Sequence, residues 1–206
     1  DTRLLVVSFG TSYNDSRDIT IGAIETDIAE AFPQYEVKRA FTAQIIIDKL
    51  KERDGLEIDN VTEALDRAVA DGVKKLIVQP THLMNGLEYG DLAAELDTYK
   101  EDFEQIVLGE PLLTSDADYE AVIRAITDAT KSYDDGETAI VFMGHGTEAE
   151  SNQVYATMQE KLGAGGFEHY YIGTVEAEPT LEDVAAALKE AKKKKKVVLQ
   201  PLMVVA

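Results

Sequence analysis

Histidine and carboxylate side chains are the groups in this chain that can hold a metal or move a proton at neutral pH. The most suggestive of them is His145, set between Gly144 and Gly146 in Thr138-Ala139-Ile140-Val141-Phe142-Met143-Gly144-His145-Gly146-Thr147. The two glycines leave room for a close approach to the imidazole, which near neutral pH can bind a metal or take a proton. The plainer alternative is a histidine that hydrogen-bonds its own loop. Glu176, in Thr174-Val175-Glu176-Ala177, is a candidate second ligand. Imidazole with carboxylate suits a first-row divalent ion such as Co²⁺, Fe²⁺, Ni²⁺ or Zn²⁺, and the pair does not choose among them. Two ligands are too few for tight binding, so a third protein or substrate donor is required. For Glu176 the alternative is a carboxylate favoured by a helix N-terminus.

These side chains need strands that end next to each other. The apolar run Ala139 to Met143 is too short for a helix and is stopped by glycine, so His145 is expected at the end of a buried parallel strand, where open α/β sheets place their ligands. Leu4 to Ser8 predicts a first strand. The apolar spacing of Ile19, Ile21, Ile24 and Ile28 predicts one helix reaching about Phe32. Strands follow at Tyr35 to Phe41, Lys75 to Pro80 and Gln105 to Gly109. Helices are expected near Ala43 to Lys51, at Val61 to Asp71, from Tyr89 to about Phe103, and from Ser115, paired with Asp118 in a capping pattern, to Thr130. Strands alternating with helical segments in this way predict a largely parallel sheet.

The pattern then starts again after Asp134-Asp135-Gly136. Val7-Ser8-Phe9-Gly10-Thr11 aligns with Met143-Gly144-His145-Gly146-Thr147, and Arg39-Ala40-Phe41-Thr42 with Thr174-Val175-Glu176-Ala177. Val61 to Leu65 aligns with Thr180 to Val184, and Ile77-Val78-Gln79-Pro80 with Val198-Leu199-Gln200-Pro201. Phe9 and Phe41 thus stand where the second half has His145 and Glu176. The order of matches implies an internal duplication. The expected fold is α/β: two similar domains, 1–130 and 137–206, each a largely parallel sheet flanked by helices, with a cleft between them. Beyond its Gln-Pro the first half carries a helix, a strand and another helix, whereas the second stops at Ala206. The second domain is therefore expected to be incomplete and the natural protein to continue.

Composition narrows the function classes. The 206 residues, 45% hydrophobic, suffice for a substantial core. No cysteine is present, which excludes disulfides, thiolate metal sites and cysteine nucleophiles. A formal charge of −19 excludes nucleic acid and anionic membrane as natural partners, while suiting cations. No apolar run spans a bilayer and no signal peptide opens the chain, so a cytoplasmic protein is expected. Because the chain begins at Asp1, a processed exported form stays open, as does a homo-oligomer.

The segments Leu4 to Ser12, Arg39 to Thr42, Asn85-Gly86-Leu87-Glu88-Tyr89, Val141 to Gly146, Val175-Glu176 and Gln200 to Ala206 together resemble the anaerobic sirohydrochlorin cobaltochelatases, the CbiK family of class II chelatases. The resemblance covers essentially the whole chain. It implies ATP-independent insertion of Co²⁺ into a sirohydrochlorin-type tetrapyrrole in cobalamin biosynthesis, with no organic cofactor. It also implies metal ligation by His145 and Glu176, and an active-site role for Glu88. The family's last metal-binding histidine follows the Pro-Leu-Met-Val-Val-Ala strand and falls beyond Ala206. For this reaction His145 is expected to bind metal and to serve as a base, and Glu88 to handle protons or position substrate.

Other polar residues carry two readings each. Ser8, Thr11 and Ser12 either bind substrate carboxylates or cap the first helix. Arg17 and Arg39 either pair with an acidic tetrapyrrole or form surface ion pairs. His82 is most simply a turn hydrogen-bonder. Lys192 to Lys196 reads as a solvated helix end. Two competing functions use the same residues: a tetrapyrrole or divalent-metal carrier without turnover, and a flavodoxin-like module that cradles phosphate at Ser8 to Ser12.

Overall fold

The computed structural model describes residues 1–191 and 196–202. Leu4 to Val7 are buried side by side, with no polar alternation, as a strand covered on both faces requires. They form β1 (Thr2–Ser8), and Ala139 to Phe142 do the same in β5 (Thr138–Gly144). Each is the centre of its own sheet. In the first, β1 lies between β2 (Glu36–Phe41) and β3 (Lys75–Pro80), with β4 (Gln105–Leu108) beyond β3. In the second, β5 lies between β6 (Tyr170–Thr174) and β7 (Lys196–Pro201). Every strand pairing among the described residues is parallel. The α/β architecture of two parallel sheets flanked by helices is thus as expected, the second being the smaller.

The chain divides into two compact units, the first Asp1–Pro111 and the second beginning at Leu112. In the first, α3 (Gln44–Asp54), α4 (Val61–Ala70) and α5 (Leu87–Asp97) pack on the sheet. Leu65 and Ala68 of α4 and Leu92 and Leu96 of α5 join Leu5, Leu76 and Val78 in one core, while Ile47 and Leu50 of α3 join Phe41 in another. A reciprocal capping box between Asn60 and Glu63 starts α4, and Gly55, at φ +65°, ends α3. The second unit includes α6 (Asp116–Ala129), α7 (Gln153–Ala164) and α8 (Leu181–Ala191). Ser115 and Asp118 cap α6 as the sequence predicts. The Thr130 hydroxyl meets the buried Tyr170 hydroxyl at 2.8 Å.

Two helices differ from expectation. The segment before Phe32 is two helices, α1 (Asn14–Ile19) and α2 (Ile21–Ala31), broken at Thr20. There ψ is −84° and the hydroxyl bonds back to the Ser16 carbonyl, so Ile19 turns out to solvent and the face of Ile19, Ile24 and Ile28 is not continuous. Further on, α5 stops at Asp97, and Phe103 anchors the following turns in the core instead of extending the helix.

The two sheets share one pairing pattern, and its register can be read strand by strand. Thr2 faces Lys75 and Val7 faces Pro80; Thr138 faces Lys196 and Met143 faces Pro201 in the same manner. At the second strand the sequence alignment needs correction. Ser8 pairs with Phe41 and Gly144 with Thr174, so Phe41 corresponds to Thr174 and it is Ala43, not Phe41, that corresponds to Glu176. One residue of shift also applies at the next helix, where the N-caps Asn60 and Thr180 are equivalent. Equivalent positions differ in one respect: Val197 and Leu199 are exposed, whereas their counterparts Leu76 and Val78 are buried with α5 residues. Among the described residues no helix is long and apolar enough to cross a membrane. Met203 to Ala206 of the last motif and Lys192 to Lys195 of the charge run lie outside the described residues.

Candidate functional site

His145 leaves the end of β5, and Glu176 follows β6, its direct neighbour. A backbone bond from Glu176 N–H to the His145 carbonyl, 3.0 Å, locks the two loops together. Their side chains then meet, with His145 Nε2 3.5 Å from Glu176 Oε2. Both remain open to solvent, at 66% and 64% side-chain exposure, so an incoming ion can reach them. Glu176 lies well before the first turn of α8, and Thr180 with Asp183 caps that helix. The helix-dipole reading of Glu176 therefore fails on position. Among the described residues no group of three or more His, Cys, Asp or Glu is placed to hold a metal ion.

The glycines beside His145 serve packing. A Cβ on Gly144 would come within 2.2 Å of the Tyr155 ring. Gly146 sits at φ +87°, and a Cβ there would meet the Ala177 nitrogen at 2.9 Å. The space these glycines leave is filled from inside, by Tyr155 and the Glu176 loop, and is not an approach route to the imidazole. Tyr155 is buried on α7, and its hydroxyl accepts the Gly146 N–H at 3.2 Å. Burial raises its pKa, so it stays a neutral phenol. Sequence reasoning missed this support, because only the apolar spacing of Val154, Tyr155, Met158 and Leu162 marked that face and nothing local linked it to His145.

Glu88 stands in the first turn of α5, in the first unit, after Gly86. It lines a cavity of about 340 Å³ whose walls include Phe9, Thr42, Asn60, Asp91 and Leu92. His82, in the loop after β3, is not a turn hydrogen-bonder. Its side chain is only 7% exposed and neither ring nitrogen has a hydrogen-bond partner among the described residues. Glu88 Oε2 lies 3.7 Å from His82 Nε2. Burial lowers the His82 pKa and favours the neutral ring.

The remaining candidates have partners within the protein. The buried Ser8 hydroxyl accepts from Thr81 at 2.8 Å, and Thr11 Oγ1 accepts the Tyr13 N–H at 3.2 Å. Ser12 is buried, and its carbonyl accepts from Arg53 at 2.7 Å. The N-cap of α1 is Tyr13, with no side-chain cap. Arg17 is buried against the Thr11 carbonyl and Asn14. Arg39 grips Glu25 through two bonds and lies over the Phe41 ring, which settles it as an ion-pair partner.

A profile of the Cobalt chelatase (CbiK) family matches residues 2–206. Among curated proteins, the sirohydrochlorin cobaltochelatase of Salmonella typhimurium is 37% identical over 203 residues, covering 98% of this chain and 76% of that protein. The sirohydrochlorin cobaltochelatase CbiKC of Nitratidesulfovibrio vulgaris is 29% identical over 192 residues, covering 91% of this chain and 66% of that protein.

Proposed function

The chain belongs to the cobalt chelatase (CbiK) family, and from that premise we infer that it acts as a sirohydrochlorin cobaltochelatase in cobalamin biosynthesis, with Co²⁺ as the substrate metal. The observation that carries the site assignment is the exposed His145–Glu176 pair, 3.5 Å apart on neighbouring strand ends. A neutral imidazole and a carboxylate at that spacing offer one nitrogen and one oxygen to a divalent ion and leave its other positions to water, substrate or a further ligand.

Insertion also requires the macrocycle to give up its pyrrole protons. Each N–H bond breaks, the proton passes to a base, and the electron pair left on nitrogen binds the metal. We assign proton acceptance to Glu88, whose carboxylate is 54% exposed on the cavity wall. His145 coordinates through a ring nitrogen and cannot take a proton there while it holds the ion, so its base role is confined to the metal-free state. For Ser8, Thr11 and Ser12 the geometry favours holding the β1 loop closed over contact with a substrate carboxylate.

The test is an anaerobic optical titration of sirohydrochlorin with the protein and Co²⁺, Fe²⁺ or Ni²⁺, following the pigment band with time. Catalytic metallation lost in His145→Ala is expected. Stoichiometric pigment binding without metallation above the spontaneous rate would instead make the protein a carrier, and full turnover by His145→Ala would remove that residue from the site.

A further inference from the structure

A histidine sealed in the first unit has no role in the scheme so far. His82 buries both ring nitrogens without a hydrogen-bond partner among the described residues. An imidazole always carries at least one N–H donor, and the neutral ring has one acceptor as well. Leaving such groups unpaired in the interior costs about 1–3 kcal/mol each. An apolar side chain would fill the same place without that cost, so the polar ring calls for an explanation outside stability.

Its surroundings supply one. His82 Nε2 faces Glu88 Oε2 at 3.7 Å, roughly half an ångström beyond hydrogen-bond range. The imidazole is fixed by burial, whereas the carboxylate is half-exposed at the start of α5 and has its own χ angles to turn. A shift of that carboxylate by about half an ångström would bring the pair within hydrogen-bond range, with Glu88 still lining the cavity. Burial also keeps the ring neutral, so Nε2 can carry the proton and act as a donor without becoming a buried cation.

We propose that His82 is a positioning residue for metal insertion: its Nε2–H donates to one oxygen of Glu88 and thereby aims the other at the pyrrole N–H. The proton moves from pyrrole nitrogen to Glu88 and then to solvent, and His82 stays neutral throughout. This rests on the assignment of Glu88 to proton acceptance made above.

The experiment is a double-mutant cycle on anaerobic Co²⁺ insertion into sirohydrochlorin, with His82→Leu, His82→Gln, Glu88→Gln and the double variant His82→Leu/Glu88→Gln. Thermal stability and Co²⁺ binding are measured on each protein. His82→Leu is expected to keep or raise the melting temperature and to bind Co²⁺ as before. It should lower kcat roughly tenfold with KM nearly unchanged, less than the ~10²-fold that loss of a base costs. His82→Gln keeps a donor near the Nε2 position and should recover most of the rate. In the Glu88→Gln background, His82→Leu should have no further effect. Wild-type kcat in His82→Leu alongside an impaired Glu88→Gln would overturn the inference and leave Glu88 in place, as would independent, multiplying effects. An unimpaired Glu88→Gln would remove the Glu88 assignment and the role of His82 with it. If His82→Leu folds poorly, His82→Gln and its own cycle with Glu88→Gln decide the question.

Discussion

The carboxyl ends of β1 and β5 are one backbone design carrying two surfaces. Thr42 N–H bonds the Ser8 carbonyl and Ala43 N–H the Phe9 carbonyl; Val175 bonds Gly144 and Glu176 bonds His145 in the same way. Gly10 and Gly146 both take positive φ, at +107° and +87°, and a Cβ on either would strike equivalent residues, Phe41 and Thr174. On this shared frame the first unit presents Phe9 and Ala43, and the second His145 and Glu176. The frame brings two positions from distant parts of the chain together, and the side chains placed there decide whether the result is an apolar wall or an exposed imidazole–carboxylate pair. The histidines of the two units differ in the same sense: His145 is open beside Glu176, while His82 is sealed beside Glu88.

The strongest challenge to that contrast is to erase it. His145→Ala and Glu176→Ala should each lower cobalt insertion by on the order of 10²-fold or more, measured as kcat/KM. Phe9→Ala, at the matching position, should not reduce Co²⁺ binding. The reciprocal graft, Phe9→His with Ala43→Glu, should add a second, weak Co²⁺ site countable by titration. An unchanged stoichiometry would mean that backbone equivalence does not suffice to place the pair.

Next in size is the packing beneath the loop. Gly144→Ala forces a methyl into the Tyr155 ring and should cost about 1–3 kcal/mol in urea unfolding. The equivalent Ser8 already carries a side chain, so Ser8→Gly should show no comparable clash relief. Equal stability of Gly144→Ala and wild type would mean that Tyr155 yields freely and does not hold the His145 loop.

The buried His82 should give a pH signature in stability. The folded-state pKa of His82 is lowered from 6.5 by desolvation, so between that lowered value and 6.5 the unfolded chain binds more protons than the folded one. Stability associated with His82 is therefore complete above pH 6.5 and is lost as pH falls through the folded pKa. The nearby Glu88 carboxylate opposes this by favouring the charged ring, but it is half-exposed and the distance is 3.7 Å, so desolvation prevails. His82→Leu should flatten the acid side of a melting-temperature profile. A profile identical to wild type would show that the ring is not effectively desolvated. The smallest effect expected is that of Ser8→Ala, which removes the bond from Thr81 and should cost about 1 kcal/mol while leaving cobalt insertion intact.

Strand identity, parallel order and the existence of two copies were legible because they rest on local apolar runs and on glycine and proline punctuation. β3 begins and ends where its sequence pattern does, at Lys75 and Pro80. The break at Thr20 was less legible, since the apolar spacing on either side continues as though one helix ran through. The two-residue misalignment at β2 has another cause: Arg39 to Thr42 and Thr174 to Ala177 look equivalent by their place at strand ends, but register is set by hydrogen bonds to β1 and β5. Of the candidate site, His145 and Glu176 were visible as residue types at strand ends, whereas Glu88 was marked only by the resemblance to a known family. Tyr155 and the burial of His82 were not, because neither has a local marker.

The sequence by itself determined which groups can bind a divalent ion or take a proton, and which strands and turns carry them, since side-chain chemistry and hydrophobic period belong to the chain alone. Only the tertiary structure decided that Glu176 meets His145 at 3.5 Å, that Phe9 and Ala43 occupy the same frame without chemistry, and that His82 is closed off behind Glu88. Distance and desolvation arise from segments far apart in sequence packing against one another, and no local pattern carries them.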